Sequence, residues 1–355
     1  MSSTYHTRMG DGRRIEMTKE ELKKDIEAGA SEAAKKIKVP DLTDNEKGHL
    51  LEIFTAPERV VSVSPEDLIV MSTDVGPDTI HMNYSEFGGV GVPVHTVTAN
   101  MIAERVVGHD CVMNTFRAGN FKGTSVSIIQ VQQDIENLVK NSIAPSLYVG
   151  MPNFGAYYKP DGPFDNVGDL ISKGKVEEGL KIYEDIIPAC KHDISWVAEM
   201  TAQVGVDGIN IDTAAAGGDG EFLASLQATE EIKEKTEMSV LLNMANHFVL
   251  GMHGGIKYDG QTLGNMMPHQ QVKVAEKAGV DIFGPVVNTN TKKSVAWNVA
   301  RAVTAIKECS RVANIPIHPN LGMGVCGAPM VEIPPIDAVS RAAKALVEIG
   351  RADGI

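Results

Sequence analysis

One short pattern, met three times, constrains the fold of this chain more than any other feature. It runs Val204-Gly205-Val206-Asp207-Gly208-Ile209-Asn210-Ile211-Asp212. It returns as Ala278-Gly279-Val280-Asp281-Ile282-Phe283 and as Gly350-Arg351-Ala352-Asp353-Gly354-Ile355. Each copy follows a stretch of helical periodicity. Glycine stops the helix in a left-handed cap, aspartate turns the chain, and the apolar run enters a sheet. Before the third copy, Asp337 reads as an N-cap, with Val339, Ala342, Ala343, Leu346 and Val347 on one helical face.

From about Val90 onward strand and helix alternate, which argues an α/β architecture with a parallel sheet. Short apolar runs over 146–150, 208–212, 239–243, 281–287 and 315–319 read as strands buried on both faces, with 111–116 a further candidate. The first 89 residues read as an extension. Thr18 with Glu21, and Thr43 with Glu46, are capping boxes that open a solvated helix over 19–38 and a short helix ending at Phe54. Runs over 68–73 and 79–84, joined by a turn at Asp74–Asp78, read as a β-hairpin. The expected organisation is an N-terminal helical and hairpin extension over 1–89 and an α/β domain over 90–355.

Charge narrows the partners. Against 33 Lys and Arg stand 46 Asp and Glu, a formal charge of −13 in 355 residues, which argues against nucleic acid and anionic membranes. No apolar run approaches the ~18 residues of a membrane span, and the N-terminus lacks a signal-peptide core, so a cytoplasmic protein is expected. The four cysteines lie far apart without a CxxC pair, arguing against a disulfide scaffold or zinc ribbon. The third copy of the handover pattern ends two or three residues into its strand, the seventh of the parallel set by this count. A sequence that stops short is expected there; the alternative is a frayed tail.

Five stretches resemble a known family: RMGDGRRI (8–15), YYKPDGPF (157–164), VLGMHGGIKYDG (249–260), FGPVVNTNT (283–291) and PPIDAVSRAAKALVEIGRADGI (334–355). They are similar to the pyrrolysine-containing dimethylamine:corrinoid methyltransferases of methanogens growing on methylamines. The resemblance implies a TIM-type (β/α)8 barrel, here truncated inside about its seventh strand. It also implies a pyrrolysine, read from an in-frame amber codon, immediately after Ile355. The imine of that residue is thought to add the amine nitrogen and aim a methyl group at Co(I). The implied reaction moves a methyl group from dimethylamine to the Co(I) corrinoid of a cognate corrinoid protein and releases monomethylamine. The corrinoid stays on that partner, so no cofactor is expected on this chain. A homo-oligomer is expected at full length, and the chain as it stands is expected inactive.

In such a barrel the residues after each strand line the catalytic mouth. Asp212 could assist protonation of the amine, against a capping or solvated role. Asn288, His318 and Asn320 have the same strand-end placement, while Asn290 reads as a helix cap. His247, His253 and Tyr258 belong to a glycine-rich loop long enough to dock the corrinoid partner or act as a lid, or simply to be loop structure. Gly322-Met323-Gly324-Val325-Cys326-Gly327 fits a dinucleotide pattern, but prolines 329, 334 and 335 intervene before any helix, leaving a flexible mouth loop. Ala216-Gly217-Gly218-Asp219-Gly220 could cradle a phosphate, yet Asp219 and Glu221 would repel it. No zinc pattern is present; His318 and Cys326 come nearest to a ligand pair. Two rival readings remain: a barrel lyase or aldolase acting on a phosphorylated metabolite, whose Schiff-base form needs a strand lysine, and a non-catalytic fragment that binds the corrinoid protein.

Overall fold

The structure, a computed structural model, describes residues 4–64, 66–67, 69–72, 79–82, 90–93, 109–121, 135–136, 139–140, 145–252 and 255–355. The chain divides into two compact units, each described by itself. The first comprises Met1–Thr115, Val286–Val312 and Pro316–Ile355, and the second Phe116–Pro285 and Ala313–Ile315.

The first unit opens with a hairpin absent from the sequence reading: β1 (Thr4–Arg8) pairs antiparallel with β2 (Arg14–Thr18) around Gly12, whose φ is 87°. Both capping boxes form, starting α1 (Lys19–Ile37) and α2 (Asp44–Thr55). The helix read as solvated is amphipathic instead, and α1 buries Leu22, Ile26, Ala30, Ala33 and Ile37. There follow β3 (Ile69–Ser72), β4 (Thr79–Met82), β5 (Val90–Pro93) and β6 (His109–Asn120), of which this unit holds the part up to Thr115. The expected hairpin between the first two of these does not form. β3 lies parallel to β6, with Ile69 opposite His109, whereas β4 pairs antiparallel with β5. The physical reason is burial: Ile69 is 1% exposed, and the run belongs to the core layer rather than to a surface ribbon. The Asp74–Asp78 turn lies outside the described residues.

The second unit carries β7 (Ser146–Met151), α3 (Val167–Ser172), α4 (Val176–Ala202), β8 (Gly208–Ala214), α5 (Asp219–Lys235), β9 (Ser239–Met244), a small ribbon of β10 (Lys257–Tyr258) and β11 (Gln261–Thr262), α6 (Pro268–Ala278) and β12 (Ile282–Gly284). Strands β7, β8, β9 and β12 are neighbours in that order, all parallel. The strand expected over 281–287 is shorter because Pro285 has no N–H to give.

The chain returns to the first unit with α7 (Val295–Val312) and α8 (Ile336–Glu348). Helix α7 crosses α1 so closely that a methyl group on Gly29 would strike the Trp297 carbonyl. Glu32 and Arg301 bridge the same crossing at 2.9 Å. Asp337 lies inside the first turn of α8 rather than capping it, and its carboxylate takes the Arg8 guanidinium at 2.9 Å. The run expected as a strand over 315–319 is extended but makes few ladder bonds, since Pro316 and Pro319 cannot donate. Residues 353–355 lie between it and β3. Asp353 donates its N–H to the Ile317 carbonyl, and Ile355 donates to that of Val70, both at 2.9 Å.

The recurring pattern now has a fuller physical reading. Gly205 and Gly279 do take left-handed conformations, at φ 87° and 90°. The aspartate does more than turn the chain, because each one receives the amide of a neighbouring strand. Asp207 takes the Ser146 N–H at 2.7 Å, Asp281 that of Val240 at 2.7 Å, and Asp353 that of Ile317 at 2.8 Å. Each copy thereby sets the lateral register of its strand as the strand begins.

Candidate active site

In the second unit the polar groups that stand out lie where β8 hands over to α5. The link between them is tight, with Ala215 at φ 64° and Gly218 at φ 102°. This turn brings the amide of Gly217 to one oxygen of Glu221 at 2.7 Å, while the amide of Phe154 donates to the other at 3.0 Å. Glu221 is 1% exposed. Burial pushes its carboxyl up to about 7, and the amides of Gly217, Phe154 and Ala216 offset only part of that rise. Asp219 is fully buried and likewise raised by burial. Its N–H donates to Leu250, and one carboxyl oxygen accepts from Met252, which fastens the loop after β9 to the start of α5. The other oxygen lacks a hydrogen-bond partner among the described residues.

Tyr183 braces the turn by donating to the Gly217 carbonyl at 2.8 Å and accepting from the Gly220 amide at 3.1 Å. Nearby, Tyr157 donates to Asp193 at 2.7 Å, and burial pushes the Cys190 thiol up. The glycine-rich stretch 216–220 thus spends amides that could hold a phosphate on the chain's own Glu221. A carboxyl with its midpoint near neutrality can take up or release a proton there.

In the first unit the groups of interest surround residues 353–355. His318 is 3% exposed, and neither ring nitrogen has a hydrogen-bond partner among the described residues. Burial pulls the imidazole down to about 4, so it is neutral at physiological pH. The half-buried Asn288 bridges to Val325, and its carbonyl receives Arg301 at 2.7 Å. Asn320 is also half-buried. The loop read as flexible is tied down: Cys326 donates to Val287, Thr289 to Gly324 and Ala328 to Val325. A helix follows only at Ile336, so the dinucleotide geometry is missing. Three of the sequence stretches noted above meet in this unit, through Arg8 with Asp337 and through Gly10, whose N–H donates to Lys293 beside the 286–291 segment.

A family model for dimethylamine methyltransferase matches residues 3–355. The chain belongs to the dimethylamine methyltransferase family. It is therefore a methyltransferase of methylamine metabolism. Among solved structures it is similar to a candidate phosphonomutase from Burkholderia cenocepacia, with TM-score 0.36, 9% identity and coverage of 78% of this chain and 82% of the other. It is also similar to inosine 5′-monophosphate dehydrogenase from Legionella pneumophila, with TM-score 0.35, 12% identity and coverage of 81% and 57%.

The residues singled out in this dimethylamine methyltransferase separate by unit. Asn288, His318 and Asn320 belong to the first, and Asp212, His247 and Tyr258 to the second. Asp212 lies within β8, two residues short of its end, where the pairing with β9 shifts register; its carboxylate accepts the Thr213 amide at 2.7 Å. It caps no helix, because α5 starts behind Gly218. His247 is half-buried, edge-on to the exposed Phe248. Tyr258 is buried and donates to Glu230 of α5 at 2.7 Å, so it anchors its loop and is not open for docking. His253 lies outside the described residues. Asn290 is not a helix cap: Ser294 takes the Trp297 amide ahead of α7, and Asn290 closes a small turn by accepting from Lys292. Among the described residues, no group of three or more His, Cys, Asp or Glu side chains is placed to hold a metal ion. Sequence reasoning missed Glu221 as a site residue. The available signal was two acids in the first turn of a helix behind a glycine-rich loop, a pattern that fills an anion site from within.

Proposed function

We propose that this chain transfers a methyl group from dimethylamine to the Co(I) corrinoid of a cognate corrinoid protein, releasing monomethylamine. The observation that carries this reading is the family match over 3–355, nearly the whole chain. The corrinoid is written as the partner's methyl-accepting group and not as a cofactor of this chain. In the balanced step the C–N bond of dimethylammonium breaks, the methyl group goes to cobalt, and nitrogen keeps the electron pair as methylamine. By the family resemblance, a pyrrolysine directly after Ile355 supplies an imine that binds the amine. Asn288 and Asn320, both of the first unit, are the proposed hydrogen-bonding groups that orient the amine. The phosphate-metabolite alternative is weaker, since β7, β8, β9 and β12 contain no lysine for a Schiff base.

A closed (β/α)8 barrel in a cytoplasmic homo-oligomer belongs to the same proposal. In its support, β3, β6, β7, β8, β9, β12, the 316–319 segment and residues 353–355 make eight sheet segments in chain order. By that count residues 353–355 begin the eighth strand. The sequence count stopped at seven because β3 had been assigned to a hairpin. Among the described residues no helix is long and apolar enough to cross a membrane.

The test uses the protein purified from its native host with its reduced corrinoid partner. Methylamine should appear in step with loss of dimethylamine and with the visible-spectrum change of corrinoid methylation. Fragmentation of the peptide beginning at Ala352 should show a residue after Ile355 that fits no standard amino acid. No methylamine from the native protein would overturn the reaction, and a standard residue at that place would overturn the pyrrolysine assignment.

A further inference from the structure

We infer that one face of the parallel sheet in the second unit binds a small protonated amine, with Asn243 accepting an N–H from it. This goes beyond the reaction proposed above and stands on residues of the second unit alone. The strand registers define the face. Val149 of β7, Asn210 of β8, Leu241 of β9 and Ile282 of β12 lie side by side in parallel pairing. Side chains alternate along a strand, so two residues further on the same face carries Asp212, Asn243 and Gly284. A direct contact shows the sharing, because Nδ2 of Asn243 donates to Oδ1 of Asn210 at 3.2 Å. The opposite face holds Ile209, Ile211, Val240 and Leu242, all apolar and fully buried.

The polar face holds a buried acceptor with no donor. Asn243 is 2% exposed and Asn210 1%. Their bond spends an N–H of Asn243 and turns its Oδ1 away from Asn210, and that oxygen meets no hydrogen-bond partner among the described residues. A buried carbonyl oxygen left in this way costs free energy unless a donor reaches it. Gly284, paired with Asn243, adds no side chain to supply one. The strands bring no cation either, since β7, β8, β9 and β12 contain no Lys or Arg. The half-buried Asp212 adds a negative charge to the face, and a carboxylate has lone pairs for a further donor besides the Thr213 amide that it accepts. Beside these oxygens lie the apolar side chains of Val149, Leu241 and Ile282. An amide oxygen and a carboxylate next to apolar side chains suit a cation that carries both N–H and small alkyl groups. Dimethylammonium has two N–H groups, one for each acceptor, and two methyl groups for the apolar neighbours.

The test is calorimetric titration of the full-length protein from its native host. Dimethylammonium chloride is the probe, and tetramethylammonium chloride supplies the same charge without an N–H. The wild-type protein should bind dimethylammonium about tenfold more tightly or better, because a site built on hydrogen bonds rejects an analogue that lacks the donor. Asn243→Leu, close in size, should weaken dimethylammonium about tenfold or more and leave tetramethylammonium within about twofold. Should that variant not fold, Asn210→Leu combined with Asn243→Leu removes both ends of the buried bond, a change that costs little stability, and should show the same loss. No measurable binding by the wild type, equal affinity for the two cations, or unchanged dimethylammonium affinity in a folded variant overturns the inference. The titration needs no corrinoid partner. A protein that binds dimethylammonium through Asn243 yet transfers no methyl group therefore supports this site while overturning the reaction.

Discussion

Glu221→Gln isolates the cost of keeping a carboxylate at the start of α5. In the folded chain burial holds this group at about 7 against an ordinary 4.5, so the fold retains a proton that the unfolded chain has already released. A carboxyl raised in the folded state costs nothing below its unfolded value. The cost grows as pH climbs past 4.5 and is complete above about 7. That gap corresponds to ~3 kcal/mol of stability lost between mildly acid and mildly alkaline solution. Glutamine cannot ionise and escapes the loss. Its own penalty is that its NH2 must face one of the two amides, Gly217 or Phe154, that the carboxylate now accepts from. That mismatch costs about 1–3 kcal/mol and does not vary with pH. The variant should therefore be less stable than the parent at pH 5 and should gain on it by ~3 kcal/mol by pH 8.5. Urea unfolding followed by circular dichroism across that range reads the difference directly. If the difference between variant and parent is flat with pH, Glu221 is not a group held near neutrality and the reasoning fails.

Three further substitutions test the packing of the first unit. Gly29→Ala should lower the melting temperature by several degrees, because the new methyl strikes the Trp297 carbonyl at the α1–α7 crossing and forces about 1–3 kcal/mol of displacement. Asp337→Asn should cost ~1–3 kcal/mol at pH 7 in urea unfolding by leaving the Arg8 guanidinium short of its counter-charge. Burial opposes ionisation of Asp337, but Arg8 outweighs it and holds the carboxyl below 3.8; the deficit should therefore close as pH falls below that value. Arg341→Lys should cost about 2–4 kcal/mol by the same assay, since the buried guanidinium donates to the carbonyls of Ala56, Glu58, Arg59 and Asp337, and an ammonium lacks the fork to reach them all.

Where local chemistry decided the outcome, the sequence was readable. Thr18 with Glu21 and Thr43 with Glu46 opened the two N-terminal helices as their spacing required. The runs at 146, 208 and 239 became neighbouring parallel strands because each is a short run that is buried almost throughout. What failed depended on partners far away in sequence. The run at 69 and the run at 79 are joined by turn residues, and nothing local reveals that one finds β6 while the other finds β5. Likewise α1 carries enough Lys and Glu to read as solvated. Its buried stripe includes Gly29, Ala30 and Ala33, residues too small to signal a core until the close approach of α7 is known.

The polar groups show a similar limit, and for a reason worth following. A glycine-rich loop ahead of a helix exposes amides in search of an anion, and the sequence reading supplied that anion from outside and then rejected it for repulsion by Asp219 and Glu221. In the structure repulsion is beside the point. Glu221 is itself the anion that the amides hold, and because it is buried while doing so it sits near the midpoint of its titration. The same rule governs the aspartates of the recurring pattern, which read as turn formers and prove to be acceptors for a neighbouring strand's amide. An acid placed next to unsatisfied backbone donors is therefore better read first as their partner. Those that cannot be so explained, such as the second oxygen of Asp219, are the ones to pursue by experiment.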